Sequence, residues 1–92
     1  MKTAFAGTGE SGDIYIEVSP AAAKSGVEVN LNSTVGSQFG NQIKKVILQT
    51  LEELKISDVA INANDKGALD CTIRARVTAA VCRATGEDIW GK

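Results

Sequence analysis

A chain of 92 residues, 43% apolar and 23% charged, fits one folded domain and excludes both a disordered chain and a multidomain enzyme. Ten basic residues stand against eleven acidic ones, for a formal net charge of -1, and no stretch gathers Lys and Arg. That balance excludes nucleic acid as a partner, because phosphate contacts need a local positive field.

Histidine is absent, which removes the usual general base near neutral pH and the commonest metal ligand. A self-contained hydrolase triad is excluded, acid–base work by Asp or Glu and thiolate chemistry stay open, and no catalytic residue and no metal site are predicted. No apolar run approaches the roughly 18 residues of a membrane-spanning helix. The start of the chain lacks the sustained apolar region of a signal peptide. A cytoplasmic location without membrane contact is expected.

Residues 1–11 are small, polar and Gly-rich and are expected to form a mobile lead-in. From Gly12 the pattern changes. Ile14, Ile16 and Val18 alternate with Tyr15 and Glu17, the period of a half-buried strand, until Ser19-Pro20 stops it. A second alternation places Val27, Val29 and Leu31 on one face and Glu28 and Asn30 on the other. Two adjacent alternating runs with a polar connection suggest an antiparallel pair.

The period then switches to that of a helix. Phe39, Ile43, Val46, Ile47, Leu51 and Leu54 form one apolar stripe. Ser33 is expected to be the N-cap, with Gly36 standing where a reinforcing capping-box glutamate would sit. Lys55 near the end suits the helix dipole. Val59, Ile61 and Ala63 predict a third strand, and a parallel crossover from the second strand to this one is expected to be right-handed.

Asn64-Asp65-Lys66-Gly67 reads as a turn, with Asp65 available to cap the next helix. Leu69, Ile73, Val77, Ala80, Val81 and Ala84 recur at helical spacing up to Gly86, a C′ glycine. Cys71, Ile73, Ala75 and Val77 also alternate, but the apolar spacing persists too far for a usual strand. The expected fold is α+β, a small two-layer sandwich with element order β-β-α-β-α. It is a single domain over 1–92 with a short tail at 87–92 that contains Trp90.

Cys71 and Cys82 are eleven positions apart, about 16 Å along one helix, so they are expected as free thiols and small buried hydrophobes. Ser11 stands out by placement. It lies in Gly7-Thr8-Gly9-Glu10-Ser11-Gly12-Asp13, where glycines on both sides of Glu10-Ser11 leave the hydroxyl uncrowded for an enzyme adding a bulky group. A solubilising Gly-Ser lead-in is the plainer alternative. The segment lacks the Lys-Ser/Thr ending of a phosphate loop and precedes a strand, so it fits no nucleotide fingerprint. Asp65-Lys66-Gly67-Ala68-Leu69-Asp70 is the second candidate, with Arg74, Arg76 and Arg83 offering forked donors beyond it. A charged surface helix accounts for the same residues.

Taken together, Gly7 to Asp13, Ser33 to Phe39 and the block Asp65-Lys66-Gly67-Ala68-Leu69-Asp70-Cys71 with Arg74-Ala75-Arg76 resemble the citrate lyase acyl carrier proteins, the gamma chains of that enzyme. The likeness runs from about residue 7 to 86. The resemblance implies that Ser11 carries a phosphoribosyl-dephospho-coenzyme A group through a phosphodiester and that its thiol holds an acetyl or citryl group. It implies partners as well: the alpha (transferase) and beta (lyase) subunits, a prosthetic-group transferase and an acetylating ligase. Gly12, Asp13, Lys66 and Arg74 are candidate contacts for the arm or for partners. Gly9 departs from the leucine expected there, and the tail is shorter than the family's. Citramalate lyase and malonate decarboxylase use related carriers and remain alternatives, as does an unmodified interaction subunit.

Overall fold

The computed structural model describes residues 2–33 and 40–86. Three strands come first: β1 (Ala4–Ala6), β2 (Ile14–Pro20) and β3 (Val27–Ser33). Helix α1 (Gly40–Glu53), strand β4 (Val59–Asp65) and helix α2 (Asp70–Thr85) come after them. The expected α+β fold and its β-β-α-β-α order are present, preceded by one further short strand. The four strands form one sheet in the order β1-β2-β4-β3.

That order corrects the expected pairing. β2 and β3 are not neighbours; β4 lies between them, antiparallel to β2 and parallel to β3. Alternation reports which face of a strand is buried but carries no information about which strand lies beside it. Burial explains the outcome. Val59, Ile61 and Ala63 of β4 are buried, whereas Val27, Val29 and Leu31 of β3 are only partly so. The more completely apolar strand occupies the centre and the less apolar one the edge.

Residues 4–6 are also corrected. Ala4 pairs with Val18 and Ala6 with Ile16, so the expected lead-in contributes an edge strand with two buried alanines. Three residues are too few to show a period. Tertiary contacts hold this strand: the Lys2 amide donates to the Ala84 carbonyl at 3.1 Å, and Arg83 Nη1 donates to the Phe5 carbonyl at 2.7 Å.

Both helices cover one face of the sheet. Ile43, Val46, Ile47 and Leu51 of α1 and Ile73, Val77, Ala80, Val81 and Ala84 of α2 are buried against Ile14, Ile16, Val18, Val59 and Ile61. Helix α2 lies against β1 and β2, α1 against β3, and the helices touch each other. Burying one such branched side chain is worth about 1.5–3 kcal/mol, so the stripes stabilise both helices through packing more than through propensity.

The helix ends follow capping rules only in part. Lys55 adopts the left-handed conformation (φ 58°) after α1. The Ile56 amide returns to the Leu51 carbonyl at 2.9 Å and the Lys55 amide to Glu52 at 3.0 Å, the double bond of a Schellman motif. Gly86 (φ 75°) ends α2 as expected, its amide reaching the Cys82 carbonyl at 2.9 Å.

Ser33, expected as the N-cap of α1, lies in a strand. It is the last residue of β3, in register with Asp65, and its hydroxyl donates to Asp65 Oδ2 at 3.0 Å. Leu69 is no part of the buried stripe either: it stands at the N-cap of α2, 71% exposed. Cys71 is exposed and Cys82 half-buried, so neither is a core residue, although both are free thiols as expected. Gly36, Phe39, Trp90 and the tail 87–92 lie outside the described residues.

Candidate functional site

The loop from Gly7 to Asp13 joins the antiparallel strands β1 and β2 and places Ser11 at its tip. Gly7 (φ 102°) is required where it stands, because a Cβ there would collide with the Ile14 carbonyl oxygen. The turn Glu10-Ser11-Gly12-Asp13 is closed by the Asp13 amide donating to the Glu10 carbonyl at 3.1 Å. Positive φ at Gly12 (84°) and not at Ser11 is the pattern of a type II turn. Such a turn holds the residue before the glycine at its corner. Ser11 is exposed there.

Two buried carboxylates shape this corner from below. Asp13, 9% exposed, accepts from its own loop and from α2. The Thr8 amide and hydroxyl reach Oδ2 at 3.1 and 2.7 Å, and the Ile14 amide reaches Oδ1 at 2.7 Å. Arg76 adds a forked pair, Nε to Oδ1 at 3.0 Å and Nη2 to Oδ2 at 2.9 Å. Donation from Arg76 is the main reason the carboxyl is lowered from 3.8 to about 2; burial opposes it, and Thr8 and Ile14 assist. Asp13 stays ionised through the whole physiological range.

Asp65, fully buried at the end of β4, organises the neighbouring turn. Its Oδ2 accepts from the Gly67 amide at 3.1 Å and its Oδ1 from the Ala68 amide at 3.0 Å. The expected capping role is thus present but shifted, serving the turn before α2; no side chain caps the helix at Leu69. The turn also grips the Ser11 loop. The Gly12 amide donates to the Lys66 carbonyl at 2.7 Å, and the Lys66 amide donates to the Asp13 carbonyl at 2.9 Å.

Four of the residues singled out in the sequence therefore converge: Ser11, Gly12, Asp13 and Lys66. Arg74 does not join them. It pairs with Glu53 at the end of α1, Nη1 to Oε2 at 3.0 Å. Two positions along a helix turn the side chain by about 200°, so Arg74 and Arg76 point to opposite sides. Arg76 and Arg83 are likewise engaged, with Asp13 and the Phe5 carbonyl respectively. The part the sequence does not disclose is Thr8 as a fixture of the loop and Asp13 as the partner of the forked donors of Arg76; a short polar residue before Asp13 was the available signal.

Ser11 is exposed, and a Cβ at Gly9 or Gly12 beside it would meet nothing within 4 Å. The corner is open to solvent above an underside held by Thr8, Arg76 and the Lys66 backbone. Among the described residues no cluster of His, Cys, Asp or Glu could hold a metal ion. No described helix is long and apolar enough to cross a membrane.

Comparison with known proteins gives the family. The family profile described as acyl carrier protein, "Malonate decarboxylase delta subunit (MdcD)", matches residues 1–84. A citrate lyase acyl carrier protein of Lacticaseibacillus casei (strain BL23) is 60% identical over 82 residues, 89% of this chain and 79% of that protein. Its counterpart in Clostridium perfringens (strain 13) is 50% identical over 92 residues, covering 98% of this chain and 90% of its own. That of Pectobacterium atrosepticum is 51% identical over 94 residues, covering 100% and 96%. By extent and identity, the chain belongs to the citrate lyase acyl carrier protein family.

Proposed function

We propose that this chain is the acyl carrier subunit of a citrate lyase and that Ser11 Oγ is its single covalent anchor. The anchored group is a phosphoribosyl-dephospho-coenzyme A arm joined through a phosphodiester. The observation that supports this most is the corner itself: one exposed hydroxyl at the tip of a loop whose base is fixed by Arg76, Thr8 and the Lys66 backbone. When bound, the arm supplies a thiol that holds the acyl group as a thioester. The residues of the chain supply its position.

Tethering is the physical advantage. A carrier docked in its complex keeps the acyl group at high effective concentration near the transferase and lyase subunits, so transfer does not wait on free diffusion. The domain itself performs no bond chemistry. Gly12 and Asp13 shape the turn, and Lys66, whose backbone grips that turn, would offer a cation to the anchor's phosphate. A dedicated transferase that attaches the arm and a ligase that acetylates it complete the set of partners, in the cytoplasm.

The test is reconstitution. Ser11→Ala in the complete lyase complex should abolish citrate cleavage while leaving the fold, read by circular dichroism, unchanged. Cleavage at the wild-type rate would refute the anchor. The family description also names malonate decarboxylase. Assembly with citrate lyase, citramalate lyase and malonate decarboxylase partners, each assayed with its own acid, separates those readings.

A further inference from the structure

The helices cover one face of the sheet, and the opposite face carries an ordered polar array. Two rows cross it. In the first, Phe5, Glu17, Asn62 and Asn30 stand side by side in register; in the second, Tyr15, Asn64 and Asn32 do. The first row is internally bonded. Asn30 Nδ2 donates to Asn62 Oδ1 at 3.3 Å, and Asn62 Nδ2 donates to Glu17 Oε1 at 3.3 Å. In the second row the carboxamides of Asn32 and Asn64 have no hydrogen-bond partner among the described residues. Both rows, apart from Phe5, line an open trough of about 300 Å³, with Leu31 and Ala63 between them.

The chemistry of this trough is specific. It presents amide donors and acceptors, one carboxylate and no cation. A phosphate or polyanion is disfavoured there, whereas a flat neutral ring with an exocyclic amine is favoured. The asparagine carboxamide matches the N6 and N7 edge of adenine, and aromatic rings stack on purines. Tyr15 borders the trough and is stacked on Phe5, ring centroids 5.8 Å apart, so the aromatic wall is preorganised.

Position selects the source of the base. The free row lies at the Ser11 end: Tyr15 pairs with Asn64, and the next pair, Ile14 with Asp65, leads directly into the Gly12–Lys66 bond. Tyr15 stands four positions after Ser11, at most about 14 Å of chain. In the arm a phosphate and two pentoses separate the serine oxygen from the adenine, a comparable reach. We propose that the trough seats the adenine of the arm carried on Ser11, parking the nucleotide on the sheet and leaving the thiol end to swing. The source of the base rests on the carrier reading. Recognition of a purine rests on the two rows alone.

Nuclear magnetic resonance of the full chain tests this. Arm-bearing protein, verified by mass, is compared with the Ser11→Ala chain. The side-chain amide signals of Asn32 and Asn64 and the ring signals of Tyr15 should differ between them. The Asn32→Ala/Asn64→Ala double variant should keep the arm but lose the Tyr15 difference. Coincident signals overturn the proposal. If the mass shows no arm, the carrier reading fails by itself, and millimolar adenosine added to the Ser11→Ala chain decides the trough. Saturable shifts confined to these three residues, with affinity falling about tenfold in the double variant, support it. Absent or scattered shifts overturn it. The substituted residues are exposed, so thermal unfolding should move little and the variants remain interpretable.

Discussion

Arg76 holds both carboxylate oxygens of Asp13 across 63 positions of sequence, joining the middle of α2 to the loop that presents Ser11. The pair is partly shielded, with side-chain exposures of 39% and 13%. It sets an acid limit on stability. The Asp13 carboxyl lies at about 2 in the fold against 3.8 when unperturbed. Its contribution is therefore full above the unperturbed value and lost as pH falls towards 2. It amounts to about 2 kcal/mol. Urea unfolding from pH 6 to pH 2 should show that loss in the wild type and a flatter profile in Asp13→Asn. Parallel profiles would contradict the pair's role.

Arg74 should behave differently from Arg76 although the two are close in sequence. Its partner Glu53 is 65% exposed, and such surface pairs contribute at most about 1 kcal/mol. Arg76→Ala leaves a buried carboxylate short of its main donor and should cost about 2–3 kcal/mol. Chemical unfolding of the two alanine variants at pH 7 measures the gap; equal costs would count against it.

Gly7 and Gly9 make a second contrast. Gly7→Ala must place a Cβ against the Ile14 carbonyl at a φ of 102°, and should destabilise by about 2 kcal/mol or more. Gly9 has no such φ and open space around it, so Gly9→Leu should change stability by less than about 0.5 kcal/mol. The thermal midpoint of each variant reads this directly.

Salt separates Lys66 from Arg74, the two cations that the sequence offers to the arm. Lys66→Ala should slow carrier turnover in the assembled complex more at low than at high ionic strength, since screening removes the attraction it supplies. Arg74→Ala, with its side chain turned to Glu53, should show a weaker salt dependence. Turnover of both variants from low to high salt checks this, and identical profiles would refute the distinction.

Thiol accessibility gives a further check. Cys71 is exposed and Cys82 half-buried, so a maleimide should label Cys71 first in the folded Ser11→Ala chain, which would carry no arm thiol. Cys71→Ser should remove the fast phase. Simultaneous labelling would contradict the exposures.

The sequence discloses local features of the fold and hides tertiary ones. Ile14, Ile16 and Val18, the α1 stripe and the α2 stripe disclose their elements because periodicity is a local property of a buried face. The neighbour of β2 is a tertiary choice, made by how fully β4 is buried, and alternation alone cannot express it. Strand β1 is too short to have a period and depends on contacts with α2. Ser33 resembles a cap in composition, yet its hydroxyl serves Asp65 because β3 runs on past Leu31, where the apolar alternation stops. At the site, Ser11, Gly12 and Asp13 are legible from glycine spacing and family likeness. The grip of Lys66 and Arg76 is not, because it joins segments more than fifty residues apart.

In the proposed function, one hydroxyl at one corner bears the whole arm. The direct measurement is the intact mass of the chain purified from its own cells, with fragmentation to locate any adduct, for the wild type and for Ser11→Ala. A single arm-sized increment on Ser11 that vanishes in the variant is the expected result. An increment that survives the substitution, or a bare Ser11 in a fully active complex, would contradict it.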